Sequence, residues 1–371
     1  MCTASCPRLS DQYILADARY VTIVLSCNLK RPRPRARARS VAERPRATGT
    51  RIGPLRAPFP TRDLVSAALL ARRPYQMKLS AALSSLGVNR HTLTETERSH
   101  LDENGFLVLP GLLSRKQLGE ITRTFFELLE VRHTFADTYD DPEGNGDRLT
   151  LANLQNKSDV FDVCFSHPKV VAAVSHVLSA PDGPDAEGFS SRGVHGRRNP
   201  PGWGGNVKAK RQGLHTDGAA PNGDAPTFPK FYTCNSIWFL CDFDHSNGAT
   251  HVVPGSHRFG TRPDSNSTPH ADEIRLIGQA GTVVVFNSHV WHSAGLNESS
   301  ADRPALTSFW GRGERTGSHR TPPAPGSGEA WGQLTREAHA RLTPQQRRLF
   351  DTETADLEVE PNGVAGGGAK L

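Results

Sequence analysis

The residues best suited to chemistry are an imidazole and a carboxylate two positions apart, His215 and Asp217. In an extended strand alternate residues point to the same side, so this spacing places both side chains on one face. Two such ligands and one from a distant strand form the two-histidine, one-carboxylate site that holds Fe(II) and leaves coordination positions open. A His-x-Asp pair also arises by chance, and a shared surface hydrogen bond is the simpler explanation of the pair alone.

A second segment offers a histidine that could be the third metal ligand. The apolar run Thr282–Phe286 precedes His289 and His292, and His292 lies 75 residues after Asp217. Arg303 follows eleven residues later, where the next β-rich run opens. An Arg on a strand beside the metal site could bind the carboxylate of a cosubstrate through both arms of its guanidinium. The alternative is an exposed loop charge paired with a neighbouring acid.

The surrounding pattern predicts an α+β domain that is mainly β. Capping and first-turn signals at Thr94, Ser114 and Pro168 open three helices with apolar stripes. After about residue 188 the helical period gives way to short β-rich runs separated by turn residues, as in a sandwich or barrel. We expect strands at 231–243, 250–253, 274–277, 282–286 and 305–310.

The charge is unevenly distributed along the chain. The 371 residues carry a formal net charge of +6, but residues 1–76 hold fifteen basic and four acidic residues, net +11. The remaining residues hold 29 basic and 34 acidic groups, net −5. The basic balance that would suggest a nucleic acid or a membrane surface as partner therefore belongs to the N-terminal segment alone.

The domain prediction follows from this division. Residues 1–76 are interpreted as a basic, disordered extension or a mis-assigned start before Met77, with a nucleic-acid arm or a transit peptide as alternatives. Residues 77–350 form the folded domain, and residues 351–371 a flexible tail. No apolar run reaches the roughly 20 residues of a spanning helix. Three cysteines lie beyond the N-terminal segment, Cys164, Cys234 and Cys241. Their odd number and the lack of CxxC spacing fit free thiols in a reducing compartment, so we expect a cytoplasmic protein.

Three blocks in order and spacing resemble the phytanoyl-CoA dioxygenase family of Fe(II)- and 2-oxoglutarate-dependent oxygenases. They are His215-x-Asp217, the block from Asn247 to Arg258, and the block from His292 through Asn297 and Ser299 to Arg303. The resemblance covers roughly residues 100–312. It implies a double-stranded β-helix, or jelly roll, with helices packed on one side.

The resemblance also implies the site. His215, Asp217 and His292 match the family's catalytic iron ligands, and Arg303 matches the residue that binds the distal carboxylate of 2-oxoglutarate. Only His292, and not His289, has the family's eleven-residue interval to the Arg. Asn235 and Trp238 are assigned beside the cosubstrate, with core packing as the alternative for Trp238.

The resemblance further implies the cofactors and the reaction. Fe(2+), 2-oxoglutarate and O2 would oxidise an aliphatic C–H bond of a small molecule, with release of succinate and CO2. Where some relatives carry Ser two residues after the distal His, this chain has Ala294. Relatives that halogenate lack the carboxylate present here as Asp217, so hydroxylation or a related oxidation is favoured.

The substrate is the least determined part. A stretch from Arg192 to Arg211 is rich in basic residues and lacks acids. We interpret it either as a solvated loop or as a mobile lid in which Arg197, Arg198 and Lys210 bind an anionic substrate. A small metabolite and an acyl-CoA both fit, and neither a nucleic acid nor a membrane is expected as partner.

Two other classes of function stay open. One is a metal-free jelly-roll binding protein. The other is a nucleic-acid-associated protein that works through the Arg-rich N-terminus. His195, His245 and His270 have no partner at a useful spacing, and a solvated loop is the interpretation of all three.

Overall fold

A computed structural model describes most of the predicted domain. The described residues are 77–135, 138–140, 149–186, 188–205, 207–208, 210–217, 230–264, 266–312, 332 and 334–350. The predicted extension over residues 1–76 and the predicted tail over residues 351–371 lie outside them.

The fold is mostly antiparallel β-structure with helices, which confirms the predicted class. The described residues form twelve strands, in chain order β1 Phe106–Leu109, β2 Thr138–Asp140, β3 Leu149–Leu151, β4 Phe189–Asn199, β5 Trp203–Gly204, β6 Val207–Lys208, β7 Thr233–Phe239, β8 Thr250–Val252, β9 Ile274–Arg275, β10 Val283–Asn287, β11 His292–Ala294 and β12 Arg303–Arg312. Seven form a large sheet in the order β1-β10-β7-β12-β4-β3-β2. The strands β11-β8-β9 form a second, smaller sheet, and β5 pairs with β6. Over the described residues these sheets do not join into a closed barrel.

The helices begin where the sequence predicts. Thr94 and Ser114 each form a capping box, in which the hydroxyl accepts the N3 backbone N–H and the N3 side chain reaches back to the N-cap. Pro168 occupies the first turn of the third predicted helix. The α-helices span Leu79–Ser85, Glu95–Asn104, Arg115–Glu130, Val163–Ser166, Pro168–Leu178, Arg336–Arg341 and Pro344–Phe350. None of the described helices is long and apolar enough to cross a bilayer.

The two faces of the large sheet have different partners. On one face Cys234, Trp238 and Leu306 join the core formed with the helices. On the other face Ile237 and Phe239 join a separate core that includes Val252 of the small sheet and other residues between the two sheets. Because side chains alternate along a strand, odd-numbered positions of β7 face the small sheet and even-numbered positions face the helices.

One predicted loop is a central strand. The first half of the basic stretch, expected to be a solvated loop or a lid, is β4, which pairs with β12 on one side and β3 on the other. That interpretation is wrong for Arg192–Asn199, because pairing on both sides buries the backbone of a segment with few large apolar side chains. The pattern also gave no signal for the short helix Leu79–Ser85.

Candidate active site

The two sheets meet where His215 and His292 face each other. Their backbones form an isolated antiparallel bridge, and each N–H donates to the other carbonyl with an N···O distance of 2.9 Å. His292 opens β11, which pairs with β8 in the small sheet. The bridge therefore fixes the segment of the first histidine against the strand of the second, although 77 residues separate them.

Both imidazoles present the same nitrogen to the carboxylate of Asp217. The Nδ1 of His215 lies 3.1 Å from the carbonyl of Gly213, and the Nδ1 of His292 lies 2.8 Å from the carbonyl of Val290. The Nε2 atoms lie 3.7 and 3.5 Å from the carboxylate oxygens of Asp217. When Nδ1 donates to a carbonyl, Nε2 carries the lone pair that can bind a metal.

Asp217 is held at both its backbone and its side chain. Its N–H donates to the carbonyl of Ser288 at 2.8 Å, and its carbonyl accepts from the hydroxyl of Thr233 at 2.9 Å. The amide of Asn235 donates to Oδ2 at 2.7 Å. Asn235, predicted beside the cosubstrate, thus contacts the carboxylate and orients it.

The charges of the three groups are coupled. Burial raises the pKa of Asp217, but the positive charge and hydrogen bond of His292 outweigh burial and lower it overall. Burial lowers the pKa of His292, and the charge and hydrogen bond of Asp217 reverse the shift and raise it. Burial, and then the charge of His292, lower the pKa of His215. The carboxylate is therefore ionised and ready to bind a cation.

Arg303 lies on the same face of the large sheet as Asn235. Its guanidinium is buried, with the Cζ atom 4.6 Å from the ring centroid of Phe243. Burial lowers its pKa to about 10, so the group stays charged at neutral pH. Among the described residues, its buried Nε has no hydrogen-bond partner and no carboxylate forms an ion pair with the guanidinium. A buried cation without an anionic partner is costly, so this position fits an incoming carboxylate.

These residues fit the expected metal and cosubstrate. One donor atom from each of His215, Asp217 and His292 lies within 4.8 Å of the others, and the set of two nitrogens and one oxygen is the kind that non-haem Fe(II) enzymes use. Arg303 supplies the cationic group that a dicarboxylate would need.

His289, the competing histidine, points elsewhere. Its Nε2 accepts the backbone N–H of Tyr232 at 3.1 Å, and its ring packs near that of Phe231, 5.8 Å away. Burial lowers its pKa to about 4. The structure therefore brings His292 and not His289 into the group of metal-binding candidates.

Trp238 does not lie at the site. Its side chain is fully buried in the core against the helices, and its Nε1–H donates to the hydroxyl of Ser236 at 3.1 Å. Asn235 and Trp238 are three residues apart, so the alternation of β7 puts them on opposite faces. The assignment of Trp238 beside the cosubstrate is wrong for this reason, and its alternative, core packing, describes it.

The three basic residues that were predicted to bind the substrate lie in different places in the structure. Arg197 lies on the face of β4 that carries the site, and its charge interacts with that of Asp217. Arg198 faces the opposite side, with its Nε 3.6 Å from a carboxylate oxygen of Asp302. Lys210 is exposed after β6.

Sequence reasoning missed His195. Instead of lying in a solvated loop, it is buried in β4, and its ring makes an edge contact with Phe309 at 5.2 Å. Burial lowers its pKa to about 3, so it is neutral. His195 lies two residues before Arg197, and in a strand this spacing puts both side chains on the same face. The spacing could be used only once β4 was known to be a strand.

A comparison with protein families agrees with this geometry. The sequence model of the family "Phytanoyl-CoA dioxygenase (PhyH)" matches residues 101–305, more than half of the chain. The chain belongs to the phytanoyl-CoA dioxygenase family. The matched range includes the histidine pair, Asp217 and Arg303.

Curated relatives share part of the chain. "Dioxygenase andF" of Emericella variicolor is 30% identical over 134 residues, which cover 36% of this chain and 42% of the relative. "Dioxygenase af480" of Aspergillus fumigatus is 28% identical over 120 residues, covering 32% and 36% respectively. The chain thus spans less than two thirds of the length of these relatives.

Solved structures show distant likeness. HygX from Streptomyces hygroscopicus, crystallised with nickel, 2-oxoglutarate and hygromycin B, is 18% identical, covers 59% of this chain and 87% of its own, and has a TM-score of 0.45. EctD from S. alaskensis with bound Fe is 16% identical, and the match covers 60% of this chain and 78% of EctD, with a TM-score of 0.48.

Proposed function

We propose that this member of the phytanoyl-CoA dioxygenase family is an Fe(II)- and 2-oxoglutarate-dependent dioxygenase that hydroxylates, or otherwise oxidises, an aliphatic C–H bond of a small molecule. The observation that carries the proposal is the group of His215, Asp217 and His292, which contacts Asn235 on the face of the large sheet that also bears Arg303. Among the described residues, the Nε of Arg303 has no hydrogen-bond partner. A metal-free binding protein has no use for three converging donors and a buried cation.

Each residue of the group has a defined task. His215 and His292 present Nε2 because backbone carbonyls hold their Nδ1 atoms. Asp217 supplies the anionic oxygen, which Asn235 orients. Arg303 would bind the distal carboxylate of 2-oxoglutarate and so fix where the cosubstrate lies relative to the metal ligands. The neighbouring apolar side chains, such as Phe243 and Phe286, exclude water from this face.

When bound, iron and 2-oxoglutarate would supply the chemistry, in which O2 is reduced, a substrate C–H bond is oxidised, and 2-oxoglutarate is converted to succinate and CO2. The protein's part is to hold these reactants in register. Asp217 keeps an anionic ligand in the third protein position, which favours hydroxylation over halogenation. The site would thus leave one side of the metal for cosubstrate, O2 and substrate.

A small metabolite is the substrate class that we propose, since the named solved relatives include one crystallised with hygromycin B. An acyl-CoA remains compatible with Arg197, which faces the site from β4. We also retain the cytoplasm as the proposed location, supported by the free thiols of Cys164, Cys234 and Cys241.

The test is turnover with a metabolite extract from the source organism. Purified protein with Fe(II), 2-oxoglutarate and O2 should form succinate and a product 16 mass units heavier than a metabolite in the extract. His215→Ala should abolish both. Succinate formation without any mass gain would reject hydroxylation, and equal results for the wild type and His215→Ala would reject the enzyme.

A further inference from the structure

Arg197 occupies a position beside the proposed cosubstrate site. In β4 it lies opposite Ala305 of β12 and opposite Thr150 of β3. Arg303 lies opposite Asn199, two residues further along the same strand. Because alternate residues share a face, Arg197 and Arg303 project from the same side of the sheet, the side that carries the metal-binding candidates.

Arg197 is partly buried, and its Nε atom is shielded from solvent. Among the described residues, that Nε has no hydrogen-bond partner. Burial lowers its pKa, and among the described residues Asp217 is the carboxylate whose charge opposes this shift. Arg197 in turn lowers the pKa of Arg303, so the two cations repel each other. If Asp217 binds a metal, this partly buried guanidinium has no other acidic neighbour among the described residues to act as its counter-ion.

The formal charges of the site can be counted for the state with metal and 2-oxoglutarate bound. A divalent metal and two guanidinium groups against the single carboxylate of Asp217 leave a net charge of +3. The dianion 2-oxoglutarate would reduce it to +1. An excess of one positive charge in a partly buried site is unfavourable, and a further carboxylate, or a carboxylate of the cosubstrate shared with the second Arg, would relieve it.

Arg198 provides the contrast. It is the next residue of β4 and has the same side chain, but it faces the other side of the sheet, where Asp302 lies 3.6 Å away. The two arginines therefore have the same chemistry in opposite environments, and only Arg197 faces the site.

We propose that Arg197 is a second carboxylate-binding residue of this active site, beside Arg303. The inference rests on the proposed function, since it assigns a partner within the same site. The carboxylate has two sources, a carboxylate group on the substrate or the carboxylate of 2-oxoglutarate next to its oxo group. A bidentate guanidinium–carboxylate pair suits both.

The experiment compares full-length Arg197→Gln with the matched control Arg198→Gln. Thermal unfolding and Ni(II) binding first check the fold and the metal site. Calorimetry then gives the Kd of 2-oxoglutarate for the Ni(II)-loaded proteins. In parallel, a metabolite extract is divided by anion exchange into anionic and neutral pools, and succinate formation by the Fe(II) proteins is measured with each pool at saturating 2-oxoglutarate.

We expect Arg197→Gln to bind Ni(II) as tightly as the wild type, or more tightly because a repelling cation is gone. We expect this variant either to bind 2-oxoglutarate at least about tenfold more weakly or to lose stimulation by the anionic pool by a similar factor. This is the size expected for loss of a charged hydrogen-bonded pair. A weaker Kd for 2-oxoglutarate identifies the cosubstrate as the partner. A loss of stimulation by the anionic pool identifies a substrate carboxylate. Arg198→Gln should change neither.

Three results would overturn the inference. In the first, Arg197→Gln and Arg198→Gln have the same Kd for 2-oxoglutarate and the same stimulation by the anionic pool. In the second, only the neutral pool stimulates the wild type, and Arg197→Gln binds 2-oxoglutarate with the wild-type Kd. If the wild type binds neither Ni(II) nor 2-oxoglutarate, the proposed function fails and the inference fails with it. If Arg197→Gln does not fold, Arg197→Lys, which keeps the charge but loses the bidentate fork, should show the same defect at smaller size.

Discussion

The amide of Asn235 helps to orient the carboxylate of Asp217. We predict that Asn235→Leu, which removes the 2.7 Å hydrogen bond to Oδ2, lowers metal affinity by roughly 10- to 100-fold, as loss of a group that orients a ligand commonly does. Competition of the Ni(II)-loaded protein with a chelator measures this. The control is Ser236→Ala at the next position of β7, which faces the helices and should leave metal affinity unchanged. Equal losses in both variants would contradict the role of Asn235.

The residues that could be predicted from sequence are those set by spacing along one strand or by a family interval. The two-residue spacing of His215 and Asp217 and the interval from His292 to Arg303 suggested the same residues that the structure brings together. The position predicted for Trp238 was wrong because side chains alternate between the two faces of a strand, and Trp238 is an odd number of residues from Asn235. The difference between Arg197 and Arg198 could not be predicted, because it required knowing that this basic segment is a strand.

At the level of elements, β4 packs closely against the helix Arg115–Glu130. A Cβ built on Gly196 would lie 2.2 Å from Cε2 of Phe125, which extends from the helix Arg115–Glu130. We predict that Gly196→Ala lowers the free energy of unfolding by about 2 kcal/mol through overpacking. Urea unfolding of both proteins measures the change.

A glycine in the facing helix is the matched control. A Cβ on Gly119 would meet nothing within 4 Å, and the residue is exposed. Gly119→Ala should therefore raise the free energy of unfolding by about 1 kcal/mol, because alanine favours the helix. If Gly196→Ala were as well tolerated as Gly119→Ala, the close packing of β4 against the helix would be contradicted.

The segment before His215 is fixed to the small sheet by a buried ionic cluster. Arg211 contacts both carboxylate oxygens of Glu273, at 2.6 and 2.7 Å, and the hydroxyl of Ser293 at 3.1 Å. His251 of β8 pairs with the same carboxylate. Burial raises the pKa of Glu273, but hydrogen bonds from His251 and Arg211 and the charge of Arg211 lower it to about 2. Because Ser293 follows His292 in β11, this cluster lies on the opposite face of that strand from the His292 side chain.

This shift predicts a dependence of stability on pH. The carboxyl binds its proton near pH 4.5 when unfolded and near pH 2 when folded, so its stabilisation is present above about 4.5 and is lost as pH falls towards 2. The difference amounts to about 3 kcal/mol. In Glu273→Gln, stability at pH 7 should be lower and should change less over this range. Thermal melts at several pH values measure both.

The neighbouring acid gives the control for that prediction. Asp272 is exposed, and Asp272→Asn should follow the wild-type profile. A Glu273→Gln protein whose acid sensitivity equals that of the wild type would show that the cluster does not stabilise the fold through its charge.

Helix starts were predictable because they depend on local chemistry. The capping boxes at Thr94 and Ser114 need only residues within one turn. The strand β4 was not predictable in this way. Its residues Gly193 and Gly196 and its polar side chains lack a strand-like apolar pattern, and its position results from pairing with β12 and β3. Pairing between distant segments is a property of the fold and not of the local sequence.

At the scale of the whole molecule, three structural elements must come together before chemistry is possible. His215 comes from a segment bridged to β11, Asp217 follows it beside the end of β10, and Arg303 begins β12 in the large sheet. The family match over residues 101–305 spans all of them. The net positive charge of the chain, which first suggested a nucleic acid, resides in residues 1–76 outside that range.

The most direct test of the account is anaerobic metal binding by two histidine variants. The wild type and His289→Ala should each bind one Fe(II) per chain and then bind 2-oxoglutarate, visible as a charge-transfer absorption band. His292→Ala should lose at least about tenfold in Fe(II) affinity and should lack the band, because it removes one of three ligands. If His292→Ala kept the wild-type affinity and the band, or if the wild type bound no stoichiometric iron, the proposed site would be wrong.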